Sequence, residues 1–172
     1  MKKIIISGAG GQGIKMMAIV LGKILAKLGY NVSTDIQYDA AIRGGKITAF
    51  LTYSKEPIDN PLFEDPDVFL KLHKEGDHFV AEKVVCDKRM CIDGPECAEC
   101  KACGGENFPF EELAEAKFGK KIMMNMIALG KLLKMLELDI EGIDLLEVLP
   151  EKFADKNKEA IVYGYTNFVD RS

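Results

Sequence analysis

Lys2-Lys3-Ile4-Ile5-Ile6-Ser7-Gly8-Ala9-Gly10-Gly11-Gln12-Gly13, followed by the apolar run Ile14 to Leu28, is the stretch that decides the fold. Three consecutive isoleucines favour an extended backbone, and a short, wholly apolar run suits a strand buried on both faces. The run from Ile14 to Leu28 reads as a helix that stops at Gly29, a residue that readily adopts the left-handed conformation of a helix end. Its polar positions, Lys15, Lys23 and Lys27, fall within one arc of the helical wheel, so most of the helix is expected to be buried. Between strand and helix, Gly8, Gly10 and Gly13 fit the pattern G-x-G-x-x-G in the strand–turn–helix context that a dinucleotide fingerprint requires. Glycines let the backbone turn tightly and come close to a ligand, and the open amides of a helix start attract phosphate or carboxylate. Asp35 lies about 20 residues further on, where an acid for a ribose hydroxyl is expected. Gly11 belongs to the same turn, and Gln12 places a side-chain amide beside the helix start, within reach of a ligand or a partner chain. The same glycines also serve simply to pack helix against strand.

Outward from this unit, strands are expected at about Asn31 to Gln37, Lys46 to Tyr53, Asp67 to His73 and His78 to Val85. No helix separates the second and third of these, so a hairpin or loop joins them. Phe110 to Phe118 reads as a short amphipathic helix and Met123 to Leu136 as a longer one. Asp144 with Glu147 resembles a capping box, Pro150 breaks or restarts that helix, and Asp155 to about Phe168 forms the last one. The reading is α/β: a Rossmann-like, mostly parallel sheet flanked by helices, with a helical C-terminal part and a cysteine-rich loop. One domain over 1–172 is expected, with a cysteine-rich insertion at about 86–105.

Composition bounds the function. The 172 residues carry 23 basic and 27 acidic side chains, a net charge of −4, with 48% hydrophobic residues. That balance lacks the basic stripe of a nucleic-acid-binding protein. No segment approaches the ~18 consecutive apolar residues of a membrane helix, and the three-isoleucine start is too short for a signal-peptide core. The expectation is a cytoplasmic protein with neither nucleic-acid nor membrane partners. All five cysteines lie between Cys86 and Cys103, and in a reducing cytoplasm such a cluster is more often a metal site than a disulfide framework.

Four ordered segments carry a resemblance. They are the opening IIISGAGGQG; Tyr38-Asp39-Ala40-Ala41-Ile42-Arg43-Gly44-Gly45; Pro57-Ile58 with Pro66-Asp67-Val68; and Asn125-Met126 with Ala128-Leu129-Gly130. Tyr163-Gly164-Tyr165 adds a weaker fifth. Together they resemble the gamma subunit of 2-oxoacid:ferredoxin oxidoreductases, a domain also fused into single-chain pyruvate:ferredoxin oxidoreductases. The resemblance implies a partner-dependent enzyme, with the isolated chain inactive. Its complex would oxidatively decarboxylate a 2-oxoacid to acyl-coenzyme A and carbon dioxide and reduce ferredoxin. Thiamine diphosphate and the main iron–sulfur clusters would sit mostly on its partners, the alpha, beta and delta-type subunits of the complex, and this chain would complete the assembly and help shape a coenzyme A site.

The ligand contacts so implied are Gly8, Gly10, Gly11, Gln12, Gly13, Tyr38, Arg43, Gly44, Gly45 and Asn125, with no catalytic residue on this chain. Arg43 precedes two glycines in a loop after the second strand, where an arginine can clamp a phosphate or carboxylate with both nitrogens or make a subunit contact. Tyr38 shares that ambiguity. Asn125 reads first as a helix cap or a buried, satisfied amide.

The cysteine segment departs from the family pattern. Its spacings are Cys86-x4-Cys91-x5-Cys97-x2-Cys100-x2-Cys103, and the last three match the start of a bacterial ferredoxin run, but Asn107 stands where the fourth ligand belongs. Cys86 or Cys91 is left to complete the set. Four thiolates can hold zinc or an iron–sulfur cluster, and spacing does not decide between them. Two competing functions stay open: a stand-alone dinucleotide-binding redox enzyme or sensor, resting on the glycine turn with Asp35, and a structural assembly module with a metal site. The methionines at 16, 17, 123, 124 and 126 suggest an exposed apolar surface for subunit contacts, or else core filling.

Overall fold

A computed structural model describes residues 1–39, 45–59, 63–74, 79–88 and 106–167. The chain divides into two compact units, Met1–Pro109 and Phe110–Ser172.

The first unit is a six-stranded sheet with one long helix. Its strands are β1 (Lys2–Ala9), β2 (Asn31–Tyr38), β3 (Lys46–Ser54), β4 (Val68–Lys71), β5 (Lys83–Asp87) and β6 (Glu106–Phe108), and α1 (Ile14–Lys27) links β1 to β2. Across the sheet the order is β2-β3-β1-β4-β5-β6. The pairs β1–β4, β4–β5 and β5–β6 are parallel, while β3 runs antiparallel to both β1 and β2. The expected mostly parallel α/β sheet is therefore present. The hairpin joins β2 to β3 rather than β3 to β4, because β1 occupies the place between β3 and β4. The three-residue strand β6 carries no periodic signal of its own and was not expected from the sequence.

Register explains the core. Ile4, Ile5 and Ile6 are fully buried, as a strand covered on both faces requires. Ile5 stands beside Phe69 and, through it, Val84, and these pack with Cys86 under Phe50, Phe63, Phe79 and Ala81. Edge-to-face ring contacts at 5.4 to 6.0 Å knit that face together. On the other face lies α1, whose Ile14, Met17, Ala18, Val20, Leu21, Ile24 and Leu25 are buried. The stop at Gly29 forms as expected. Gly29 adopts φ +77°, Tyr30 N–H donates to the Leu25 carbonyl, and Lys55 Nζ donates to the Leu28 carbonyl at 2.8 Å while lying 3.8 Å over the Tyr30 ring.

The second unit is helical: α2 (Phe110–Phe118), a 3₁₀ turn at Lys121–Met123, α3 (Met124–Met135), α4 (Leu145–Val148) and α5 (Ala154–Asn167). Asp144 caps α4 by accepting from Leu146 N–H at 3.0 Å. The crossing of α3 and α5 is set by two glycines. A Cβ on Gly130 would lie 2.1 Å from the Ile161 carbonyl oxygen, and one on Gly164 would lie 2.0 Å from that of Ile127. Two backbones therefore touch where any other residue would hold them apart. The Ala-Leu-Gly and Tyr-Gly-Tyr segments are the two sides of this contact.

Of the five methionines suggestive of an apolar surface, Met17, Met123, Met124 and Met126 fill the core and only Met16 is exposed. Each of the four points inward on its helix, where a flexible thioether fills gaps between branched side chains.

Candidate functional site at the carboxyl ends of the central strands

The chain leaves β1 toward α1 on one face of the sheet. It leaves β4 toward Phe79 and Ala81, which pack on the other face. Neighbouring parallel strands whose connections part in this way open a crevice at their carboxyl ends, the usual ligand position in open α/β sheets. The glycine turn lies at this crevice.

The turn's geometry demands glycine. Gly11 and Gly13 have φ of +89° and +79°, in the left-handed region that side chains disfavour. A Cβ on Gly8 would approach Ile14 Cδ1 to 2.5 Å and Gln12 Oε1 to 2.8 Å. Gly13 caps α1 without a side-chain bond, and the helix has no acidic residue in its first turn. Met17 N–H bonds back to the Gly13 carbonyl, which leaves the amides before it to face an anion.

Gln12 is engaged at both ends. Its Oε1 accepts from Ala9 N–H at 2.7 Å and its Nε2 donates to the Leu72 carbonyl, at the end of β4, at 3.0 Å. This side chain bridges the crevice and holds the turn against β4. The Leu72 carbonyl carries half of that bridge, and sequence reading missed it because a backbone acceptor leaves no side-chain signature.

On the opposite side, Gly10 N–H donates to the Gly45 carbonyl at 2.9 Å, and Asp39 N–H donates to that of Lys46 at 2.9 Å. The first bond ties the glycine turn to the β2–β3 hairpin. Tyr38, the last residue of β2, is level with Gly8 across β3 and is exposed. The glycine turn, Tyr38 and Gly45 are thus brought to one end of the sheet. Arg43 and Gly44 lie outside the described residues. Asn125 belongs to the second unit. It sits inside the first turn of α3, whose cap is Met123, and is buried. The capping role expected for Asn125 therefore falls away, and the buried amide remains.

Asp35 is not beside the turn. It lies in mid β2, opposite Phe50, which is opposite Ile5, so β3 intervenes between this acid and β1. It is exposed and accepts from Gln37 Nε2 at 3.3 Å. A dinucleotide site places its acid on the strand next to the glycine turn; inserting an antiparallel strand removes that geometry.

Of the cysteines, Cys86 is buried in β5 beside Ile5, Phe69 and Val84. Cys91, Cys97, Cys100 and Cys103 lie outside the described residues. Among the described residues, no group of three or more His, Cys, Asp or Glu side chains is placed to hold a metal ion.

The titration shifts that stand out belong elsewhere. Burial raises the Tyr53 hydroxyl to about 12, helped by Tyr30 and Asp67. The hydrogen bond from Lys3 lowers the Asp65 carboxyl. Both groups sit toward the amino end of β1, since Tyr53 pairs with Lys2. Tyr165, also raised by burial, is in the second unit, where its hydroxyl donates to the Leu138 carbonyl.

Residues 3–167 match the pyruvate ferredoxin/flavodoxin oxidoreductase family. The chain belongs to this family. Membership spans both units and agrees with the ordered motifs. Among relatives of this oxidoreductase chain is the 2-oxoglutarate synthase subunit KorC of Archaeoglobus fulgidus, 31% identical over 93% of this chain and 84% of the relative. The subunit of the same name from Methanocaldococcus jannaschii is 27% identical over 95% and 92%. The fold is shared with the keto/oxoacid ferredoxin oxidoreductase gamma subunit of Geobacter sulfurreducens, at TM-score 0.74 and 20% identity over 96% of each chain. It is shared also with the Magnetococcus marinus 2-oxoglutarate:ferredoxin oxidoreductase, whose structure holds 2-oxoglutarate, coenzyme A and succinyl-CoA. That likeness has TM-score 0.72 and 24% identity, covering 98% of this chain and 31% of the longer one. No helix among the described residues is long and apolar enough to cross a membrane.

Proposed function

We propose that this chain is the gamma-type subunit of a cytoplasmic 2-oxoglutarate:ferredoxin oxidoreductase, working with alpha, beta and delta-type subunits, and that it acts as one gamma-type domain over 1–172. The observation that carries the reading is the Gly10–Gly45 hydrogen bond, which joins the glycine turn to the hairpin bearing the Tyr-x4-Arg-Gly-Gly segment. The groups gathered there are backbone amides and the Tyr38 phenol, with the Gln12 amide holding the turn in place. Such groups hold and orient an anion; they do not abstract protons from carbon at neutral pH.

The chain's contribution is therefore positioning. Gly8, Gly10, Gly11, Gln12, Gly13, Tyr38, Arg43, Gly44 and Gly45 form the proposed contact set of the first unit for coenzyme A or for a partner subunit, and Asn125 is a buried amide of the second unit. Thiamine diphosphate on the partner subunits supplies the decarboxylation chemistry. The substrate assignment follows the 2-oxoglutarate synthase relatives. The test is anaerobic reconstitution of the companion subunits with and without this chain, reading coenzyme A-dependent ferredoxin reduction. Turnover with 2-oxoglutarate that requires the chain is expected. Full turnover without it would leave only an assembly role, and faster turnover with pyruvate would overturn the substrate.

The cysteine cluster is proposed to hold a metal through the thiolates of Cys91, Cys97, Cys100 and Cys103. The apolar surroundings of Cys86 favour Cys91 as the fourth ligand, since a thiolate among Ile5, Phe69 and Val84 would be poorly solvated. Cys97→Ser is expected to release the bound metal and Cys86→Ser to keep it, as measured by metal analysis of anaerobically purified protein. A visible-absorbing sample containing iron and sulfide assigns a cluster; a colourless one containing zinc assigns a structural site. Equal metal content in Cys97→Ser and the parent would overturn the ligand set.

A further inference from the structure

We propose that the outer face of α1, with Tyr38, is the surface by which this chain binds an acidic companion subunit. The inference rests on the subunit reading above and names the face that reading needs.

The exposed residues of α1 are Lys15, Met16, Ile19, Lys23, Ala26 and Lys27. At 3.6 residues per turn they fall within an arc of about 120°. Met16 and Ile19 are 39% and 43% exposed, on a helix whose remaining apolar side chains are mostly buried. Tyr38 is 58% exposed and lies on the same side of the sheet. Its register shows this: Tyr38 pairs with Ile47 and Ile47 with Gly8, whose Cβ direction meets Ile14 of α1. Three of the exposed large apolar side chains of the first unit thus belong to one face.

Charge states the partner's chemistry. α1 carries three exposed lysines and no acidic residue, in a chain of net charge −4. Asp35, the acid of β2, is on the other face with Phe50, and the exposed Asp39 follows Tyr38, so the single sign of charge belongs to α1. Its exposed Met16 and Ile19 among lysines fit a surface with apolar anchors and carboxylates around them.

The experiment uses the intact chain and its companion subunits, with assembly followed by titration calorimetry at low and high salt. Met16→Glu/Ile19→Glu is expected to weaken assembly about 100-fold or more, because it puts carboxylates at the apolar centre facing carboxylates on the partner. Lys15→Glu/Lys23→Glu is expected to weaken it about 10-fold and to flatten the salt dependence. Val80→Glu, at a residue 86% exposed in the loop before β5, is expected to change nothing. Thermal melts of all variants should match the parent, since every substituted side chain is exposed. If the parent assembles and Met16→Glu/Ile19→Glu assembles equally tightly, the surface assignment falls while the subunit reading stands. If the parent itself fails to assemble, the subunit reading falls and takes this one with it. If the isolated chain self-associates and the same variant abolishes it, the occupant is a second copy rather than an acidic partner.

Discussion

Gly164→Ala is expected to destabilise the chain by about 3 kcal/mol or more, and Gly130→Ala by a similar amount. Alanine adds about 1 kcal/mol of helix propensity over glycine, so the sign depends on what the new methyl meets. Here it meets backbone. The Gly164 methyl would sit 2.0 Å from the Ile127 carbonyl oxygen, and the Gly130 methyl 2.1 Å from that of Ile161. A carbonyl inside a helix cannot rotate away as a side chain can, so α3 and α5 must separate and lose packing along their whole contact. Overpacking typically costs about 1–3 kcal/mol where side chains can adjust, and more where they cannot. For a chain of this size, about 3 kcal/mol lowers the melting temperature by about 6–12 °C.

Gly22→Ala is the internal control. It also places a methyl inside a helix, but its nearest neighbours are Thr34 Oγ1 at 3.7 Å and Val32 Cγ1 at 3.8 Å, an ordinary contact. It should stabilise by about 0.5–1 kcal/mol through propensity. Calorimetric melts of the three variants test the pair of claims, and a Gly164→Ala protein as stable as the parent would contradict the helix crossing described above.

Substituting Gln12 should have the second largest effect. Gln12→Ala removes both bonds that span the crevice and leaves the Ala9 amide and the Leu72 carbonyl to find water. A loss of about 1–3 kcal/mol is expected, with a larger proportional loss of complex turnover, because the turn is no longer held at its height above the strands. Gln12→Glu is the sharper probe. A carboxylate still accepts from Ala9 N–H, but it faces the Leu72 carbonyl with lone pairs on both sides. Protonation restores a donor, so the folded state raises the pKa of this Glu. Stability relative to the parent is then greatest below the unfolded carboxylate pKa and is lost as pH rises through the folded value. Denaturant unfolding between pH 4 and pH 8 reads this directly, and a pH-independent difference between the two proteins would rule out the Leu72 contact.

The first unit was legible where signals are local. Ile4–Ile6 named the central strand, Gly8–Gly13 the turn, and Gly29 the end of α1, because each property belongs to a residue and its immediate neighbours. The boundaries of α2 and the cap at Asp144 were read for the same reason. The family was legible too, since its segments occur in order over most of the chain. The dinucleotide-binding alternative drew on Asp35 at the right distance in sequence but not in space.

What the sequence by itself determined is the set of elements, their chemistry and the family they belong to. What only the tertiary structure decided is who stands next to whom. Strand β3 enters between β2 and β1 and separates Asp35 from the glycine turn. The Gln12 amide reaches the Leu72 carbonyl across 60 residues of chain. Gly130 and Gly164 are small because two backbones meet there. The physical reason is one and the same: strand pairing, backbone hydrogen bonds and helix crossings join residues far apart in sequence, and a backbone partner has no residue type to announce it.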